Sequence, residues 1–140
     1  MIRAFKQGIG VLILVWVVAL TASTLSAQTS GNAAAKAVKN PVPATAASIK
    51  AGEALYQKNC QFCHGPTGLG DGKLAPKDMK PANLTDAKWD HGSTDGEIHA
   101  VILGGLMDKK MPGVKGRMSD TDVWNIVNYL RSIGPKTAAR

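Results

Sequence analysis

The chain has 140 residues, enough for one domain but not for two once a terminal leader is set aside. Aromatic residues make up 5% of it, too few to fill a core by themselves, and a domain below about 100 residues often needs a disulfide, a metal or a cofactor for stability. The net charge is +7 at pH 7, but the basic residues are dispersed, so charge alone selects no class of partner.

The first residues have the order of a secretory signal. Arg3 and Lys6 precede an apolar run over residues 9–20, and small or polar residues follow up to Ala27. Because a membrane-spanning helix needs about 20 apolar residues, we expect residues 1–27 to be a cleaved signal peptide. The alternative is an uncleaved membrane anchor. Both place the folded part in the periplasm, where nucleic acid is not an expected partner.

The rest of the chain divides into a linker, a domain and a tail. Residues 28–47 are rich in alanine and contain two prolines, which predicts a flexible linker. The predicted domain covers residues 48–135 and is followed by a short tail at residues 136–140. Its first helix is expected to begin with Ser48 as N-cap and to end at Asn59.

Two further helices are predicted in the second half of the domain. Glycines and prolines recur over residues 65–92, which indicates a long loop that must wrap around something. Ser93 is expected to cap a short helix that ends at Gly104. Ser119 and Asp122 form a capping box for the last helix. Its apolar face has helical spacing and consists of Val123, Ile126, Val127 and Leu130. No alternating strand pattern of useful length appears, so the predicted fold class is all-α.

The pentapeptide from Cys60 to His64 carries the strongest chemical signal. Its sequence, CQFCH, places two thiols one helical turn apart and an imidazole directly after the second. This is the spacing of haem c attachment, because each thiol adds to one haem vinyl group and the adjacent histidine is then held on the iron. We therefore predict one haem bound covalently through Cys60 and Cys63, with His64 as a metal ligand.

Three other interpretations of the cysteine pair fit less well. A zinc site needs four ligands, commonly in two separated pairs, and the sequence has no second cysteine pair. A redox-active dithiol is expected to open a helix after a buried strand, whereas this motif closes a helix. A structural disulfide leaves His64 without a role, although the compartment permits one.

The second axial ligand of an electron-carrying haem is normally a methionine or a histidine. Met111 is the first candidate, because the Pro112 and Gly113 that follow would fix the backbone around it. Met107, in the same loop, is the second.

The other methionines and histidines have simpler explanations. Met118 suits a hydrophobic contact at the start of the last helix, and Met79 lies in the half of the chain that already supplies His64. We expect His99 to be a partly buried helix residue and His91 a solvated loop residue, although either would give a haem with two histidine ligands.

With these residues placed, residues 48–135 resemble the single-haem class I cytochromes c of bacteria. The motifs that carry the resemblance are Gly52-x-x-x-Tyr56 before Cys60, Pro81-Ala82-Asn83-Leu84, Met111-Pro112, and Trp124 with Tyr129-Leu130-Arg131. The resemblance implies a cytochrome c fold, in which short helices and long loops wrap around one covalent haem. It also implies that the carbonyl of Pro81 accepts the proton on the second ring nitrogen of His64.

These features predict an electron carrier and not an enzyme. An enzyme or a gas-binding protein needs an open sixth position on the iron, whereas a carrier cycles between ferric and ferrous states with both positions filled. We expect a monomer that passes electrons between respiratory-chain or dehydrogenase partners, or else the same domain tethered in a larger complex. Lysines flank Met111 and recur in the preceding loop, which predicts partners with acidic docking surfaces.

Overall fold

The computed structural model describes residues 30–87 and 89–135, so the predicted signal peptide and the tail at residues 136–140 lie outside the described residues. The described part is mainly helical, as predicted. Its helices are α1 (Ser30–Ala37), α2 (Ala46–Asn59), α3 (Gln61–His64), α4 (Asp95–Gly104) and α5 (Asp120–Ile133). Two-residue antiparallel strands, β1 (Gly105–Leu106) and β2 (Met111–Pro112), flank a 3-10 turn at Met107–Lys109 and were not expected from the sequence.

Helices α2 and α5 pack closely against each other. Gly52 of α2 lies so near α5 that a Cβ atom there would collide with the carbonyl oxygen of Asn125. One turn further along α2, the ring of Tyr56 contacts that of Tyr129, with centroids 5.2 Å apart. The predicted apolar face of α5 is confirmed, because all four of its residues are buried. Each such aliphatic side chain stabilises the fold by about 1.5–3 kcal/mol.

The close approach at Gly52 gives a testable expectation. Gly52→Ala should destabilise the protein by about 3 kcal/mol, since an added methyl group in a filled contact forces the backbones apart. Denaturant unfolding would measure the change. Gly104→Ala is the matched control, because a Cβ atom at Gly104 meets nothing within 4 Å. Equal losses of stability in the two variants would contradict the expectation.

Two of the three predicted helix caps are wrong by a short distance along the chain. The N-cap of α2 is Thr45 and that of α4 is Thr94, whereas Ser119 caps α5 as predicted. Near each helix start, two hydroxyl residues satisfy the same local rule, so the sequence does not decide between them. Ser48 instead lies buried inside α2 and links it to α5.

Part of the predicted linker packs against the domain. Residues 30–37 form α1, and the side chain of Asn40 donates a hydrogen bond to Asn128 of α5 (2.8 Å). Asn128 in turn donates to the carbonyl oxygen of Val42 (3.0 Å), whose side chain packs against the core. The prolines at residues 41 and 43 argue against a helix at those positions. They do not prevent this extended segment from packing against α5. Within residues 30–87 and 89–135, no helix is long and apolar enough to cross a membrane.

Candidate haem-binding site

A cavity of about 500 Å³ opens between the long loop and the helices α4 and α5. This size falls in the range of about 300–1,000 Å³ that is typical of ligand pockets. The residues that line it include Cys60, Cys63, His64, Met79 and Met111. Its apolar lining comes mainly from α4 and α5, through Ile98, Val101, Ile102, Ile126 and Leu130. The structure therefore brings the predicted attachment, ligand and core residues to one place.

The two cysteines are unpaired thiols. Cys60 lies at the junction of α2 and α3, and Cys63 lies within α3. The backbone stays nearly helical through this junction, because the amide of His64 donates to the carbonyl of Cys60 (2.9 Å). Burial raises the pKa of Cys60 to about 11, and the neighbouring Cys63 adds to the shift. Redox-active cysteines have lowered pKa values, so the dithiol interpretation is not supported.

The imidazole of His64 is oriented by a backbone carbonyl. Its Nδ1 atom lies 3.2 Å from the carbonyl oxygen of Ala82. Burial lowers the pKa of His64, and the contact with Ala82 opposes the shift only in part. A neutral imidazole with Nδ1 engaged leaves Nε2 available, which is the state that binds a metal.

The expected role of Pro81 has to be corrected. The carbonyl that meets His64 belongs to the next residue, Ala82, while the Pro81 carbonyl lies against Gly70. Successive carbonyls of an extended segment point in different directions, and a residue pattern does not tell which one faces the ring. Pro81 still lines the cavity.

Tyr56 fixes the backbone beside His64. Its hydroxyl donates to the carbonyl oxygen of Gly65 (2.7 Å), and its side chain is buried. Burial raises the pKa of Tyr56, so the hydroxyl stays protonated and keeps donating at neutral pH. Gly65 has a left-handed φ of 81°, which glycine adopts without strain and which turns the chain away after the histidine.

The candidates for the second axial ligand differ in whether they line the cavity. Met111 and Met79 line it, whereas Met107 is 78% exposed and is not part of the lining. Met111 is also held by the pairing of β2 with β1, in register with Leu106. The sequence-based order of candidates changes accordingly, with Met79 replacing Met107 as the second.

The histidine candidates differ from each other. His99 stacks on Trp124 with ring centroids 3.9 Å apart, and its Nε2 atom lies 2.9 Å from a carboxylate oxygen of Asp120. It is therefore the partly buried helix residue that we expected. His91 is exposed, also as expected, but it lies on the lining of the cavity.

Trp89 is a site residue that the sequence analysis missed. It lines the cavity, and its Nε1 donor is buried with no hydrogen-bond partner in the described part of the chain. An unpaired buried donor is costly unless a bound group supplies an acceptor. The carboxylates of haem are such acceptors, so the residues present fit this cofactor. A large aromatic residue in a loop rich in glycine and proline was the available signal.

Basic side chains also line the cavity. We call Lys80, Lys109, Lys110 and Arg117 the basic rim. Asp90 is the one acidic residue among the described lining residues. Lys115, which also flanks Met111, does not line the cavity, nor do Lys73 and Lys77 of the preceding loop. Lys88 lies outside the described residues.

The domain is helical, and its cavity is lined by a CxxCH motif with an oriented histidine and by two methionines. These features define the class of c-type cytochrome domains. The motif is consistent with covalent haem c. Residues 47–130 match the family described as cytochrome c oxidase, cbb3-type, subunit III, and the chain belongs to this family. The resemblance to cytochromes c is thereby confirmed.

Similar proteins agree with this assignment. Subunit CcoP of the cbb3-type cytochrome c oxidase of Rubrivivax gelatinosus is 35% identical over 102 residues, which cover 71% of this chain and 31% of that protein. A chain of the Kuenenia stuttgartiensis reducing HAO-like protein complex has a TM-score of 0.62 at 27% identity and covers 70% of this chain and 50% of its own. The chain thus spans about a third of the length of the curated relatives it matches.

A second solved structure supports the fold alone. Cytochrome cL of the marine methylotroph Methylophaga aminisulfidivorans has a TM-score of 0.54 at 22% identity, over 82% of this chain and 70% of its own. The predicted cytochrome c fold is confirmed by this similarity together with the family match.

Proposed function

We propose that this chain is a periplasmic electron carrier. It binds one haem c through Cys60 and Cys63, ligates the iron with His64 and Met111, and passes single electrons between respiratory-chain or dehydrogenase partners. The observation that carries this proposal is the single cavity to which all four residues contribute.

The residues of the chain have distinct parts in this function. When bound, haem supplies reversible one-electron chemistry at its iron. The carbonyl of Ala82 holds the proton on Nδ1 of His64 and so directs Nε2 to the metal. With Met111 as a further ligand, the iron would offer no open position to oxygen or a substrate, which favours a carrier over an enzyme. The apolar residues of α4 and α5 line the cavity and would shield a bound haem from water.

Electrochemistry and activity assays test this function together. The purified holoprotein should titrate as a single, reversible one-electron couple. It should also lack turnover of peroxide or nitrite. Multiple turnovers of either substrate at rates typical of enzymes would refute the carrier role.

A second candidate is the same electron transfer within a membrane complex. The similarity to CcoP, which is named as an oxidase subunit, favours it. An anchored subunit should begin at Met1, whereas a free carrier or a peripheral subunit should begin at Gln28. Mass spectrometry of the exported protein distinguishes them, and either outcome decides whether the signal is cleaved.

We also propose that the basic rim meets acidic surfaces on the redox partners. Attraction of this kind raises the encounter rate and is screened by salt. The carboxylates of Asp78, Asp90 and Asp108 lie nearby and reduce the net charge of the rim without reversing it.

Oxidation by small inorganic complexes tests the charge of the basic rim, because no protein partner has to be identified first. Oxidation of the ferrous protein by anionic hexacyanoferrate should slow by about tenfold between low salt and 0.15 M, where the Debye length is about 8 Å. A cationic cobalt tris(phenanthroline) oxidant should accelerate instead. Lys80→Glu should weaken both trends, whereas Lys50→Glu makes the same charge change away from the cavity and should matter less. Identical behaviour of the two variants would contradict a functional rim.

A further inference from the structure

Two segments that carry cavity-lining methionines are joined by one ion pair. The Nζ atom of Lys110 donates a hydrogen bond to Oδ2 of Asp78 at 2.5 Å, across 32 residues of sequence. Asp78 directly precedes Met79, and Lys110 directly precedes Met111. Among the described residues, no other hydrogen bond links the segment at residues 76–81 to the segment at residues 107–112.

The backbone at Lys110 is unusual. It is the one non-glycine residue with a positive φ (52°) in the described part of the chain. This conformation costs about 1–2 kcal/mol for a residue that carries a Cβ atom, so the surrounding turn must be held by other contacts. The amide of Lys110 bonds to the carbonyl of Met107 (3.1 Å), and its side chain bonds to Asp78.

We propose that Asp78 and Lys110 are positioning residues for Met111. Their ion pair holds the turn at residues 107–112 against the opposite loop and so sets how readily an external ligand displaces Met111 from the iron. This inference rests on the proposed ligation by Met111. It concerns the opening of the ligand segment and not the stability of the whole fold.

Exposure of the pair explains why its effect is local. The side chain of Lys110 is 53% exposed and that of Asp78 is 66% exposed. Exposed ion pairs contribute little to global stability and are weakened by salt. Opening one short turn requires far less free energy than unfolding the domain, so a weak contact still changes the open fraction of that turn.

Imidazole binding to the ferric holoprotein measures that open fraction, because imidazole binds the iron only after the methionine leaves. Asp78→Asn should raise the affinity for imidazole about two- to fivefold at low salt, the effect expected from losing an exposed ion pair. At about 1 M salt the variant and the wild type should converge, since the Debye length is then about 3 Å. The melting temperature should stay nearly unchanged.

Asp108→Asn is the matched control. Asp108 lies in the same turn, is 69% exposed, and pairs with the adjacent Lys109 at 3.6 Å, so its loss removes the same charge without breaking a link between the segments. Imidazole affinity should not change in this variant. Equal increases in Asp78→Asn and Asp108→Asn, or no increase in either, would overturn the proposal.

A double-mutant cycle isolates the pair itself. Asparagine tolerates a positive φ, so Lys110→Asn should match Asp78→Asn, and the double variant should bind imidazole no more tightly than either single variant. Additive increases would overturn the proposal.

Met111→Ala separates the hypothesis of ligation by Met111 from the hypothesis of positioning by the ion pair. If it leaves imidazole affinity unchanged, the ligation by Met111 fails. If it raises the affinity while Asp78→Asn does not, only the positioning role fails.

Discussion

Replacing both Cys60 and Cys63 by serine should abolish covalent haem attachment. Serine hydroxyls do not form the thioether bonds, although the shape of the motif is kept. Haem staining of the denatured protein, separated by gel electrophoresis, should then be lost completely. Because the cavity at the centre of this small domain would no longer hold its cofactor, stability should also fall, by about 4 kcal/mol, the stabilisation that a ligand gives at about 1,000 times its Kd.

Phe62→Ala provides the control within the same motif. Phe62 is 49% exposed and does not line the cavity, so its replacement should leave haem attachment intact. Haem that remains on the denatured double-serine protein would refute attachment through these cysteines. Loss of haem in Phe62→Ala as well would indicate a general defect in maturation or folding.

The sequence predicted the parts of the site that depend on neighbouring residues. The motif from Cys60 to His64 is local, because its chemistry needs only three residues at fixed spacing within about one helical turn. The apolar face of α5 and its capping box with Ser119 are local in the same sense, and both are confirmed.

The features that the sequence analysis missed depend on distant segments. Whether Ala82 or Pro81 faces His64 depends on the path of a loop that returns from 18 residues away. The exposure of Met107 and the approach of Met79 to the cavity follow from how two loops meet. Residue type and spacing do not show which loop segments come into contact. The assignment of Met111 as the second axial ligand therefore stays a prediction.

The packing of residues 38–45 also depends on a distant segment. Alanines and prolines describe only the local conformation of residues 38–45, whereas the contacts that order this segment come from Asn128 in α5. A buried asparagine on an otherwise apolar helix face is the available signal, because a buried amide needs partners. Its Nδ2 atom donates to the carbonyl of Val42 and to the hydroxyl of Ser48 (2.8 Å), and its Oδ1 atom accepts from Asn40.

Met111→Ala should change the spectrum and the reduction potential of the holoprotein together. Loss of the thioether ligand removes the red Met-to-iron absorption band of the ferric state. The potential should fall by at least about 100 mV, within the range of about 0.8 V that axial ligands span, because a methionine ligand raises the potential relative to the ligands that would replace it. Redox titration followed by visible absorbance measures both effects.

Two other methionines decide whether the change is specific to Met111. Met107→Ala alters a neighbouring, highly exposed side chain and should leave the band and the potential unchanged. Met79→Ala removes the other methionine that lines the cavity, so it should shift the potential slightly through packing and keep the band. If the band instead survives in Met111→Ala and disappears in Met79→Ala, the ligand is Met79. Both axial ligands would then come from the N-terminal half of the domain, and the β1–β2 turn would serve to close the cavity and not to bind the iron.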